Sequence, residues 1–72
     1  MIVVTENSTY ILEDKGDGAF RVTSNNPKYR GPLNMVQARP IRVNDGLVLR
    51  YLSGPKKGRY LVTSRIISVQ ED

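Results

Sequence analysis

The chain has 72 residues, 39% of them hydrophobic, and eleven Lys and Arg against seven Asp and Glu give it a net charge of +4. It contains no His and no Cys, which excludes the disulfides and zinc cages that staple many domains of this size, and with them a Cys nucleophile and a His general base. Length allows one small domain, residues 1–72, expected to bury only about 60% of its unfolded surface.

No apolar run approaches the roughly 20 residues that a membrane helix needs. The opening Met1-Ile2-Val3-Val4-Thr5-Glu6 has neither a basic region nor a long apolar stretch, so no signal peptide is expected. Together with the absence of Cys, this leads us to expect a cytoplasmic protein.

Taken in chain order, β-branched Ile2-Val3-Val4-Thr5 predicts a short strand. Glu6-Asn7-Ser8 interrupts it, either as a turn or as a bulge in one longer strand. Thr9 to Glu13 resumes the alternation, and Asp14-Lys15-Gly16-Asp17-Gly18 is a strong turn signal. Phe20 and Val22 then alternate with Arg21 and Thr23. The result is a hairpin whose inward set is Tyr10, Leu12, Phe20 and Val22.

Residues 24–34 read as a loop, broken by Asn25-Asn26-Pro27 and Arg30-Gly31-Pro32. Leu33 to Arg39 fits one helical turn or an edge strand equally well. A second hairpin is expected around Asn44-Asp45-Gly46. With a three-residue loop and Gly46 left-handed, Val43 faces Leu47 and Ile41 faces Leu49, which keeps like with like. One face then carries Ile41, Val43, Leu47, Leu49 and Tyr51, and the other Arg42, Val48, Arg50 and Leu52. Ser53 to Gly58 predicts a third hairpin loop, whose length decides whether Tyr60 or Leu61 points inward. Thr63-Ser64-Arg65 breaks the alternation as a tight turn would, and Ile66-Ile67-Ser68-Val69 is a last strand. These elements predict an all-β domain: a small antiparallel barrel or half-barrel of five to seven short strands, SH3-like or OB-like in general form.

Catalysis fits this inventory poorly. The carboxylates fall mostly in turns and at the end of the chain, where water keeps them ordinary, whereas general acid–base work needs a perturbed group in a cleft. Asp14 to Gly18 lacks the ligand spacing of a calcium loop. No enzyme activity, cofactor or metal site is therefore expected. The basic residues are the stronger signal: from Lys28 to Arg65 nine of them stand against one acid, Asp45. Such asymmetry points to an anionic partner, either nucleic acid or an acidic protein surface. The plain alternative is that the charges keep a small β-protein soluble and guard its sheet edges.

Gly54-Pro55-Lys56-Lys57-Gly58-Arg59 is the densest basic element, without the spacing or the helix of a nucleotide-binding loop. Tyr29, Tyr51 and Tyr60 have Lys28, Arg30, Arg50 and Arg59 beside them in sequence. Aromatic rings among cations on a small sheet can stack bases and track a phosphate chain. They can equally close a small core, as expected for Tyr51 beside Leu49. The candidate binding residues are Lys28, Tyr29, Arg30, Arg42, Arg50, Lys56, Lys57 and Arg59. Leftover apolar surface or an open strand edge would instead favour a homodimer or a strand-adding protein partner.

The segments Val4-Thr5-Glu6-Asn7-Ser8-Thr9-Tyr10 and Thr63-Ser64-Arg65-Ile66-Ile67-Ser68-Val69 resemble the two ends of small uncharacterised proteins of actinobacteria and their phages. The resemblance covers about 14 residues and leaves the middle of the chain unmatched. Ser64-Arg65 departs from the Ser-Pro found at that position in the family. The resemblance implies a mobile-element origin and no activity, cofactor or catalytic residue. Two functions follow as expectations: a binding module with a basic face for nucleic acid, or a phage-related protein-interaction module acting on a host protein in the host cytoplasm. A small homo-oligomeric structural protein is the third.

Overall fold

Where β-branched and aromatic side chains alternate with polar ones, the chain extends, and it does so six times. The computed structural model describes residues 1–26 and 33–71. The strands are β1 (Ile2–Thr5), β2 (Thr9–Gly16), β3 (Ala19–Ser24), β4 (Leu33–Ala38), β5 (Gly46–Tyr51) and β6 (Tyr60–Gln70). Each pairs antiparallel with the next in sequence, and β6 returns to pair with β1, closing the sheet into a barrel. Closure removes the row of unpaired backbone groups that an open sheet would present, and with it the open edge considered as a docking strip. Among the described residues there is no helix, and so none long and apolar enough to cross a membrane.

The barrel interior is filled by side chains from every strand. Val3, Tyr10, Leu12, Val22, Val36, Leu47, Leu49, Leu61 and Ile66 form one buried cluster. Met1, Phe20, Ala38, Ile41, Tyr51 and Val69 pack against it from the rims. With no disulfide available, this cluster and the closed ladder carry the stability of the fold.

The first two hairpins follow from local chemistry. Glu6-Asn7-Ser8 is a true turn, since Val3 pairs with Tyr10 and Val4 with Thr9. The buried Thr5 hydroxyl donates to the Ser8 carbonyl at 3.0 Å and accepts from the Ser8 amide at 3.1 Å, so the turn satisfies its own polar groups. In the β2–β3 hairpin, Gly16 pairs with Ala19 across the loop Asp17-Gly18. Both loop residues have positive φ, 55° and 75°, as a type I′ turn requires. Tyr10, Leu12 and Val22 point inward as expected, and Phe20 is half-buried at the rim.

Two expectations are corrected. Ile41 to Val43 is not a strand. The partner of β5 is β4, with Val36 opposite Tyr51, Gln37 opposite Arg50 and Ala38 opposite Leu49. The Arg39 amide adds one more bond, to the Val48 carbonyl at 3.1 Å, and Pro40, lacking an N–H, ends the ladder there. Residues 41–45 then cross one end of the barrel. The Asn44 amide bonds the Ile66 carbonyl, the Ile66 amide bonds the Asp45 carbonyl, and Ile41 caps the core. The left-handed residue is Asn44, with φ 79°, and not Gly46. Gly46 is required for another reason: a Cβ there would lie 2.9 Å from the Thr63 carbonyl oxygen of β6.

Thr63-Ser64-Arg65 is not a turn either. It lies inside the 11-residue strand β6. The register against β5 shifts between Gly46 and Val48, and the register against β1 shifts between Val4 and Thr5. The inward side therefore passes from odd-numbered Leu61 to even-numbered Ile66 and back to odd-numbered Val69. Bulged strands bend, and here the bend lets one strand serve two neighbours and close the ring.

Candidate functional site

The outward-facing residues of β4, β5 and β6 are set by the inward ones. Val36, Leu49 and Leu61 are buried, so Gln37, Arg50 and Tyr60 point away from the core. Gln37 pairs with Arg50 and Arg50 with Tyr60, which makes one row across three strands. This register also settles the third hairpin: Leu61 turns inward and Tyr60 outward, 50% exposed.

Arg39 leaves the end of β4 and lays its guanidinium over Tyr60, 5.3 Å from the ring centroid. On the neighbouring loop, the Lys56 ammonium sits 5.8 Å from the centre of the Tyr51 ring. The loop is folded back on itself: the Lys57 amide bonds the Gly54 carbonyl, the Arg59 amide bonds that of Lys56, and the Gly58 amide bonds that of Tyr51. These bonds hold Lys56 and Arg59 beside the strand ends.

Tyr60 stands as a wall between two open clefts. One, of about 300 Å³, is lined by Gln37, Ala38, Arg39, Pro40, Arg50 and Tyr60. The other, of about 280 Å³, is lined by Tyr51, Lys56, Arg59, Tyr60, Leu61 and Val62. A third cleft adjoins the first through Arg39 and Pro40 and carries Arg42 and Asp45. The result is a continuous surface with cations on both sides of an exposed ring.

Among the described residues, no carboxylate pairs with Arg39, Arg50, Lys56, Lys57 or Arg59, whereas other cations on the barrel have acidic neighbours. Lys15 bonds Glu13 at 2.7 Å, and Arg65 lies 3.8 Å from Glu6. Arg21 is directly opposite Glu13 in the β2–β3 ladder. The hydrogen bond from Lys15, then its charge, with that of Arg21 adding, holds the exposed Glu13 carboxyl below the usual carboxylate range. Lys15, Arg21 and, at the far end of β6, Arg65 thus each have an acid beside them, whereas the cations around Tyr60 have none among the described residues.

Of the residues singled out in the sequence, Arg50, Lys56 and Arg59 come together around Tyr60. Arg42 lies in the adjoining cleft beside Asp45, and Lys57 is at the exposed loop tip. Lys28, Tyr29 and Arg30 lie outside the described residues. Arg39 and Tyr60 are not among the candidate binding residues of the sequence, and the structure adds both. The signal for Tyr60 is in the β5–β6 register: once Leu61 is taken inward, Tyr60 must emerge beside Arg50. No family model, curated protein or solved structure matches the chain.

Proposed function

We propose that the protein is a non-enzymatic binding module that holds an anionic macromolecule, nucleic acid, against the outer wall of β4, β5 and β6. The observation that carries this reading is the grouping of Arg39, Arg50, Lys56 and Arg59 around exposed Tyr60 with no carboxylate partner among the described residues. A cation with no carboxylate beside it among the described residues is available to a phosphate, and neighbouring phosphates add further contacts along a strand. A cytoplasmic location accords with such a partner.

Titration of the protein with an oligonucleotide at two salt concentrations tests the reading. Four phosphate contacts predict a slope of log affinity against log salt of about −3. Absence of binding at low salt removes the proposal. A second reading, a mobile-element-encoded module acting on a host protein, is favoured by the half-exposed apolar side chains of Ile11, Val43, Val62 and Ile67. Such a contact would depend on apolar anchors and little on salt. A protein that stays bound to immobilised barrel after nuclease treatment and a high-salt wash would favour it. Mass rising with concentration in sedimentation would favour self-association instead.

A further inference from the structure

We infer that the ligand of the basic face is a single-stranded nucleic acid, one of whose bases stacks on Tyr60 while the flanking phosphates lie on Arg39 and Arg50 to one side and on Lys56 and Arg59 to the other. This rests on the nucleic-acid reading of the face and goes beyond it by naming the strandedness and the ring that reads it.

The argument starts from what Tyr60 costs where it is. A half-exposed tyrosine at the end of an outward row gains little from the barrel, because its core-facing neighbour is Leu61, which already fills the interior. The ring nonetheless has fixed neighbours. Its strand is paired by hydrogen bonds, its cross-strand neighbour is Arg50, and the Arg39 guanidinium lies over it, 5.3 Å from the centroid. An aromatic ring kept in place by a rigid strand is a platform that loses little freedom when a second flat group settles beside it.

The two clefts divide the work. Both are bounded by Tyr60, and each has two cations of its own: Arg39 and Arg50 in one, Lys56 and Arg59 in the other. A backbone that crosses the ring therefore meets positive charge before and after it. Gln37, at the far end of the row from Tyr60, offers both a donor and an acceptor to the edge of a base lying in the first cleft. Arg39 over the ring also suits a base, since a guanidinium plane stacks on a nucleobase as readily as on tyrosine.

A duplex would leave this arrangement unused. Its base faces are covered by their neighbours in the stack, so it offers Tyr60 nothing to lie against, and only the cations would find partners. A phosphate-rich polymer without bases would likewise engage the arginines and lysines and ignore the ring. The tyrosine is the group that separates the three ligands.

The test measures affinity for three probes: a labelled 12-nucleotide single strand, the same sequence as a duplex, and inorganic polyphosphate. The wild-type protein is compared with Tyr60→Phe, Tyr60→Leu and Arg50→Gln. The single strand should bind more tightly than the duplex. Tyr60→Leu should weaken single-strand binding about 5- to 150-fold, the range that loss of one base stack gives, while polyphosphate affinity stays within about twofold. Tyr60→Phe keeps the ring and should keep the affinity. Arg50→Gln should weaken all three probes. Far-UV circular dichroism checks that the variants remain folded, as the exposure of Tyr60 predicts. If the duplex binds as well as the single strand, or Tyr60→Leu binds the single strand like wild type, this inference fails while the basic-face reading stands. If neither nucleic acid binds at low salt, the basic-face reading fails with it.

Discussion

A few side chains hold this barrel together, and they do so by different physics. At the β2–β3 loop the demand is on the backbone. Asp17 and Gly18 both have positive φ, a region that Asp tolerates and that Gly enters without penalty. A Cβ on Gly18 would meet nothing within 4 Å, so the cost of adding one is conformational alone. Gly18→Ala is expected to destabilise the fold by about 1–2 kcal/mol, with Asp17→Asn close to neutral, as urea unfolding would read. In the core the demand is on volume. Leu49 is fully buried at the middle of β5. Leu49→Ala should cost about 2–5 kcal/mol, against a total stability of about 4–11 kcal/mol for a domain of this length. A variant with a lowered melting temperature or no cooperative transition is the expected outcome. Val62→Ala, at a position 64% exposed, should stay within about 0.5 kcal/mol of wild type. Equal losses at the two positions would mean that the barrel interior is not where stability resides.

At the scale of elements, β6 decides whether the sheet closes, and its weak point is Thr63. The register shift against β5 interrupts the regular ladder, and the Leu47 amide instead bonds the Thr63 hydroxyl at 3.0 Å. That hydroxyl donates onward to the Ser64 carbonyl at 2.8 Å. A side chain has taken the place of a backbone acceptor. Thr63→Val keeps the shape and leaves the Leu47 amide without this partner, for an expected loss of about 1–3 kcal/mol; Thr63→Ser should retain most of the stability. Amide hydrogen exchange at Leu47 reads the same effect locally: faster in the valine variant, near wild type in the serine one. This bond also explains why the sequence misleads here. Thr-Ser-Arg between apolar runs has the composition of a turn, and nothing local announces that a threonine hydroxyl will patch a bulge. The β4–β5 connection misleads in the opposite sense. Ile41 and Val43 have strand character, yet Pro40 has already ended the ladder, and Ile41 finds its burial as a cap on the barrel end. The β2–β3 hairpin is legible because its turn chemistry and its alternation agree, and β5 because Leu47 and Leu49 can face only inward. Tyr60 is ambiguous in the sequence for want of one fact, the loop length before it.

Over the whole molecule, the net charge of +4 matters less than where its components lie. In a ring of six strands, β2 is across from β5 and β3 from β6. Lys15, on β2, pairs with Glu13, and Arg21, on β3, lies opposite that same carboxylate, so the two cations share one acid. Arg50 and Arg59, on β5 and just before β6, have no such partner among the described residues. The basic bias of the second half of the sequence thus becomes a bias of one side of the barrel, because a meander keeps sequence neighbours adjacent in space. Two double variants separate side from sum. Arg50→Gln with Arg59→Gln, and Lys15→Gln with Arg21→Gln, each lower the net charge from +4 to +2. If a polyanion lies along β4 to β6, the first pair should weaken single-strand binding and flatten the slope of log affinity against log salt by about 1.4, at roughly 0.7 for each phosphate no longer neutralised. The second pair should leave the slope unchanged, and any small loss of affinity should come from the long-range field, which fades beyond a Debye length of about 10 Å at 0.1 M salt. Equal flattening in the two variants would mean that the barrel attracts anions through its overall charge, with no face set apart to receive them.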